Sequence, residues 1–83
     1  MIRSVDGEIY VSGDNKYGQL AREKTIKFSN KFNRVDLPPA TRALVMSESF
    51  IAEVGNDLYT WGWNEHGNLG TGDRTDKVTP VKI

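Results

Sequence analysis

The sequence predicts an all-β fold made of β-propeller blades, each a four-stranded antiparallel sheet. Three observations lead to this prediction: an internal repeat, short β-branched and aromatic segments bounded by turn signals, and no convincing helix. The repeat aligns residues 58–69 with residues 9–20 at an offset of 49. A period of about 50 residues that holds about four short strands is the size of a propeller blade, not of a helical solenoid.

Glycines recur at two positions of the repeat, and each position has a structural explanation. Gly13 and Gly62 end a strand, where we expect that a Cβ would obstruct a neighbouring backbone. Gly18 and Gly67 lie in the following turn, where we expect positive φ. The glycines therefore predict architecture rather than chemistry.

The other matched positions of the turn are an amide and a leucine. Asn15 and Asn64 are expected to bond their own backbone two residues on and so to fix the turn. Leu20 and Leu69 are expected to fill the gap between adjacent sheets. Beyond this loop the offset falls to 46, which pairs Val35 with Val81 and gives the first loop three extra residues.

Taken from the N-terminus to the C-terminus, the sequence predicts seven strands and two hairpin turns. Asp6-Gly7 predicts a two-residue hairpin of type I′, and Gly55-Asn56 predicts a second hairpin turn. Residues 40–54 could be drawn as a helix, but two apolar clusters ahead of a turn favour two strands. The predicted strands are residues 1–5, 8–12, 35–37, 43–46, 50–54, 58–62 and 78–83.

The strand order divides the chain into two blades. Residues 1–37 are predicted to be a partial blade that lacks its first strand and carries a basic loop at 21–34, and residues 38–83 the second blade. Repeat units depend on their neighbours to bury their faces. We therefore expect a fragment or a segment of one propeller domain, with an oligomer of the short chain as the alternative.

Composition limits the function further. The chain has 83 residues, no cysteine, one histidine, and eleven basic against eleven acidic residues. Disulfides and thiolate metal sites are thereby excluded, and we expect neither a metal nor a cofactor. The zero net charge favours neither nucleic acid nor a membrane as partner. No apolar run approaches the roughly 20 residues that span a bilayer, so we expect an intracellular protein, cytoplasmic or nuclear.

Residues 58–83 carry a pattern found in a known family. They read Tyr-x-Trp-Gly-x-Asn-x-x-Gly-x-Leu-Gly, then Gly-Asp and Pro-Val. This pattern resembles the repeat of the regulator of chromosome condensation family, and residues 7–20 resemble it less closely because Ser12 replaces the aromatic and Ala21 the final glycine. Gly70 is the family's final glycine in the second copy. The kelch propellers are a rival, but no Gly-Gly pair supports them.

The resemblance implies a seven-bladed propeller, of which this chain would hold about 1.7 repeats. It implies that Trp61 lies in the core between blades. It also implies a non-enzymatic module or scaffold that binds proteins, with a small GTPase or a chromatin protein as partner besides further blades or copies of the chain. One alternative is a part of a guanine-nucleotide exchange factor; another is a propeller partner in tRNA wobble-uridine and diphthamide modification.

Two sets of residues are left for function once the repeat is explained. Trp63, Glu65 and His66 are unmatched in the repeat and are predicted to contact a partner. The basic loop supplies the second set: Lys24, Lys27, Phe28 and Lys31. Glu65 and His66 are adjacent on a turn and point apart, so no catalytic pair is predicted. The glycine-rich stretch 67–72 lacks both the spacing of a phosphate loop and a following helix.

Overall fold

A computed structural model describes residues 1–21, 24–46 and 48–83 of the chain. Among these residues seven strands form two antiparallel sheets. The first sheet has the order β1-β2-β3, with β1 Ile2–Arg3, β2 Ile9–Asp14 and β3 Phe28–Arg34. The second has the order β4-β5-β6-β7, with β4 Arg42–Met46, β5 Ser49–Val54, β6 Asp57–Gly62 and β7 Lys77–Lys82. The all-β prediction is confirmed, and the stretch 40–54 contains two strands rather than a helix.

The hydrophobic core lies between the two sheets. The first sheet and the segment after it contribute Ile9, Val11, Leu20, Val35, Leu37 and Ala40, and the second sheet contributes Phe50, Ala52 and Trp61. Trp61 is fully buried, and its indole Nε1 donates a hydrogen bond to the carbonyl oxygen of Gln19 at 3.1 Å. The Trp61 and Phe50 rings lie 5.5 Å apart. The side chains of one blade thus complete the core of the other.

The register of the outer strands corrects the predicted offset. Ser29 pairs with Gly13, and Lys77 pairs with Gly62, so the offset there is 48. The amide of Val35 donates to Ile9, and the amide of Ile83 donates to Leu58 in the same way. The predicted match of Val35 with Val81 is therefore wrong, and the first loop is one residue longer than the second.

The basic loop predicted at 21–34 is also corrected, because its second half is strand β3. This strand pairs with β2 at four positions, with a register shift between Val11 and Gly13. The predicted strand at 35–37 is absent from the described elements. Val35 and Leu37 are nevertheless buried in the core, so their apolar character reflects a packed connection rather than a strand.

The first hairpin differs from the predicted two-residue turn. Arg3 pairs with Ile9, and the amide of Ser4 donates to Glu8, which leaves a three-residue loop at 5–7. Only Gly7 of the predicted pair has a positive φ, 88°, so the type I′ turn, which needs two, does not form. The amide of Ala40 donates to Gly7 at 2.8 Å. This contact with the connection between the blades explains the shifted register.

The second hairpin has the predicted two-residue turn. Val54 pairs with Asp57 across Gly55 and Asn56, and Gly55 has φ 61°. Glycine at the first central position is typical of a type II′ turn.

One left-handed residue marks where the first blade departs from the repeat. Ala21 has φ 57°, and the equivalent Gly70 has φ 74°. The turn therefore imposes the same backbone conformation on both blades, although a left-handed conformation costs an L-residue roughly 1–2 kcal/mol.

Candidate functional site

The loops that leave β2 and β6 are each held by a buried asparagine. Asn15 Oδ1 accepts a hydrogen bond from the amide of Leu20, and Asn64 Oδ1 accepts one from the amide of Leu69. Both asparagines are 0% exposed. The amide side chain therefore reaches five residues on, not two, and anchors the whole turn.

The second loop has an additional polar network around Asp73. Asn64 Nδ2 donates to the carbonyl oxygens of Asp73 and Thr75, both at 3.0 Å. Lys77 Nζ and the amide of Thr75 donate to the Asp73 carboxylate, and they hold the pKa of Asp73 below its ordinary value. The bond from Thr75 is an Asx turn. The carboxylate thus serves the loop's own structure.

An aromatic row crosses the junction between the blades on these loops. We define the aromatic row as Tyr17, Trp63 and His66. The ring centroids of Tyr17 and Trp63 lie 5.9 Å apart, and those of Trp63 and His66 lie 5.1 Å apart with the planes nearly perpendicular. Both distances are within the range of favourable aromatic pairs. Lys16 Nζ lies 5.4 Å from the Tyr17 centroid and adds a cation–π contact.

Trp63 is held in place through its backbone. Its amide donates to the carbonyl oxygen of Glu48 at 3.0 Å, and its carbonyl accepts from Asn68 Nδ2 at 2.8 Å. Trp61 is buried in the core, whereas Trp63 is half-buried on the loop. Gly62 separates them with φ 100°, a conformation that interrupts strand alternation. The two tryptophans therefore have different surroundings despite their spacing.

His66, a member of the aromatic row, and its neighbour Glu65 are both exposed. The His66 ring contacts Trp63.

The predicted basic residues are not members of the aromatic row. Lys24 Nζ forms an ion pair with Asp76 Oδ2 at 2.7 Å. Asp76 Oδ1 accepts a hydrogen bond from the backbone N–H of Asn64. Lys24 therefore ties the two loops together. Lys27 precedes β3, and Phe28 and Lys31 lie on β3. None of the described contacts joins these three side chains to the aromatic row.

Sequence reasoning missed Tyr17 and Lys16 as neighbours of the predicted site. Tyr17 corresponds to His66 at the offset of 49, and Lys16 corresponds to Glu65. The signal was therefore present: the repeat places Tyr17 at the same point of the preceding turn. What the alignment cannot give is the contact between one blade's Tyr17 and the next blade's Trp63.

Comparison with known proteins identifies the repeat. Residues 56–83 match the Regulator of chromosome condensation (RCC1) repeat. The chain carries an RCC1 repeat. The family resemblance seen in the sequence is thereby confirmed, and the RCC1 match includes β6, the asparagine-anchored loop and β7.

The RCC1 relatives include two proteins with long alignments. The chain is 33% identical over 85 residues to the ultraviolet-B receptor UVR8 of Arabidopsis thaliana, covering 96% of the chain and 19% of that protein. It is 28% identical over 99 residues to the secretion-regulating guanine nucleotide exchange factor of Bos taurus, covering 98% and 21%. The chain therefore spans about a fifth of the length of these relatives.

A solved structure shows the same fold. Prp20p from Saccharomyces cerevisiae, described with its binding properties to Gsp1p and histones, superposes with a TM-score of 0.90 at 19% identity. The match covers 99% of this chain and 22% of Prp20p. The two sheets are thus blades of a β-propeller.

Two features of the described residues bear on other classes of function. Within residues 1–21, 24–46 and 48–83, no helix is long and apolar enough to cross a membrane. The same residues contain no group of three or more histidine, aspartate or glutamate side chains placed to hold a metal ion.

Proposed function

We propose that the chain serves as a protein-interaction module of a propeller, and that the aromatic row contacts the partner. The observation that carries this proposal is the packing of Tyr17, Trp63 and His66 across the blade junction. We also propose that the chain divides into a partial blade at residues 1–37 and a second blade at residues 38–83. The partner is a protein, with small GTPases and chromatin proteins as the first classes to test.

The repeat supports this assignment because it separates structural residues from free ones. The asparagine and the leucine of the turn make the same hydrogen bond in both blades, from the leucine amide to the asparagine Oδ1. The residues of the aromatic row differ between equivalent positions of the repeat, because Trp63 corresponds to Asp14 and His66 corresponds to Tyr17. Side chains that the blade does not need are available for recognition.

The geometry also favours tight binding. Tyr and Trp are enriched among interface residues that contribute most of the binding energy. The backbone of Trp63 is fixed on both sides by Glu48 and Asn68. A ring that is already ordered loses less conformational entropy when a partner binds.

Trp63→Ala is expected to weaken partner binding by at least about tenfold, because truncation of a central aromatic typically costs about 2 kcal/mol or more. Binding to purified core histones and to a panel of small GTPases is measured by biolayer interferometry. Tyr17→Ala should weaken the same interaction. Val5→Ala is the matched control, since Val5 is 95% exposed on the first hairpin, away from the row. Equal affinity of Trp63→Ala and wild type for every bound partner would contradict the proposal.

A second candidate function is a part in guanine-nucleotide exchange. It is favoured by the similarity to the secretion-regulating guanine nucleotide exchange factor over 98% of the chain. Exchange requires loops that displace nucleotide-binding segments and needs no proton-transfer pair, so the absence of a predicted catalytic pair does not oppose it. The alternative in tRNA and diphthamide modification has no support among the relatives compared with this chain.

Acceleration of nucleotide release is the expected result for the second candidate. Release of a fluorescent GDP analogue from small GTPases is followed with the chain and with a complete propeller that carries it. Trp63→Ala should reduce any acceleration if exchange uses the aromatic row. If the chain binds histones but accelerates GDP release from none of the GTPases, the exchange function is contradicted. The proposal of a protein-interaction module is then still supported.

A further inference from the structure

The outer strand of the first sheet exposes two aromatic rings. Phe28 is 64% exposed and Phe32 is 52% exposed, and Ile26 just before the strand is 46% exposed. Adjacent exposed apolar side chains mark interaction sites more often than isolated ones do. We define the β3 surface as Lys27, Phe28, Lys31 and Phe32.

The second blade shows that the fold does not require these rings. With the offset of 48 that the outer strands establish, Phe28 corresponds to Asp76 and Phe32 to Pro80. The second sheet forms the same pairing and the same register shift without an aromatic residue at either position. The two phenylalanines are therefore an addition to the blade, not part of its packing.

The charges of the β3 surface are unbalanced, although the chain as a whole is neutral. The neighbouring cations are paired within the chain: Lys24 with Asp76 and Arg34 with Glu8, at 2.7 and 2.8 Å. For Lys27 and Lys31, the part of the chain that the structure describes shows no ion pair. Two unpaired ammonium groups thus alternate in sequence with two exposed rings.

We propose that the β3 surface docks an acidic protein segment that also carries apolar side chains. The carboxylates of the segment would pair with Lys27 and Lys31, and its apolar side chains would cover Phe28 and Phe32. A nucleic acid fits less well. Glu8 and Asp76 neutralise the cations at both ends of the strand, so few charges remain to follow a phosphate backbone, whose affinity scales with the number of phosphates neutralised. The β3 surface is separate from the aromatic row and does not depend on its function.

The test uses a fluorescein-labelled peptide in which aspartate and leucine alternate. Its binding to the chain is followed by fluorescence anisotropy. The double variant Phe28→Ser with Phe32→Ser should weaken binding by about tenfold or more, as expected for loss of interface aromatic residues. The double variant Lys27→Glu with Lys31→Glu should lose the peptide and gain binding to a matched peptide of alternating lysine and leucine. Circular dichroism and thermal melting confirm that each variant is folded.

Two controls make the outcomes decisive. Val5→Ala, at an exposed residue of the first hairpin, should leave peptide affinity unchanged. No variant of the peptide assay changes the aromatic row, so failure of the aromatic row and failure of the β3 surface are distinguishable. An oligothymidylate of equal length is titrated in parallel. The proposal is overturned if wild type does not bind the acidic peptide, if the folded variants bind it as tightly as wild type, or if the oligonucleotide binds more tightly than the peptide.

Discussion

Trp61→Ala is expected to lower the free energy of unfolding by about 3–5 kcal/mol, the cost typical of removing a large buried aromatic. Trp61 is 0% exposed and packs against Phe50 in the core between the sheets. Its removal leaves a cavity at the junction and also leaves the carbonyl oxygen of Gln19 without its indole donor. Urea denaturation followed by far-UV circular dichroism measures the loss. A chain of this size has marginal stability, so both wild type and variant are denatured in the presence of a stabilising osmolyte.

Trp61→Phe is the matched control for this prediction. Phenylalanine keeps most of the apolar volume but cannot donate to Gln19, and a typical hydrogen bond contributes about 1 kcal/mol net. The Trp61→Ala variant should therefore be much less stable than the Trp61→Phe variant. If both variants lost the same stability, the hydrogen bond rather than the packing would hold the junction.

Gly62→Ala is expected to destabilise the chain more than Gly13→Ala, although the two glycines hold the same place in the repeat. Their φ angles are 100° and 105°, so each substitution carries a similar backbone cost of roughly 1–2 kcal/mol. A Cβ on Gly62 would lie 2.7 Å from the carbonyl oxygen of Glu48, whereas a Cβ on Gly13 meets no atom within 4 Å. Overpacking adds about 1–3 kcal/mol at Gly62 alone.

Comparison of the two alanine variants by urea denaturation isolates the steric contribution, because the backbone cost cancels. The expectation that a Cβ obstructs a neighbouring strand holds at Gly62 and not at Gly13. Ser49 of β5 pairs with Gly62, whereas the described pairing of β1 with β2 is limited to Tyr10 and Ile9 and does not extend to Gly13. Equal losses in the two variants would show that backbone strain alone requires the glycine.

The sequence was sufficient for the fold class because the repeat fixes the order of strands and turns. Tyr59, Trp61, Gly62 and Asn64 follow a pattern in which every position has a local or inter-blade role. The sequence was not sufficient to predict a turn where a tertiary contact overrides the local conformational preference. Asp6-Gly7 favours a two-residue turn, but the contact of Gly7 with Ala40 selects a longer loop. Such a contact joins residues far apart in sequence and leaves no local signal.

The candidate site was predicted in part for the same reason. Trp63, Glu65 and His66 are identifiable because the repeat does not explain them. Tyr17 was assigned to a turn, since nothing in its own blade indicates that it contacts Trp63. The β3 residues were read as a loop, because lysines and asparagines interrupt the alternation expected of a strand. Only pairing with β2 shows that they form an edge.

The position of the core between the sheets has a consequence for cooperativity. Ile9 and Val11 belong to one blade and Phe50 and Trp61 to the other, yet they form the same cluster. In repeat proteins, stability is approximately the sum of each unit's own term and a coupling term with its nearest neighbour. Here the shared cluster contains nine of the ten buried hydrophobic residues of the described chain, all except Leu69. Neither blade can therefore melt without removing the support of the other, and the pair behaves as one folding unit.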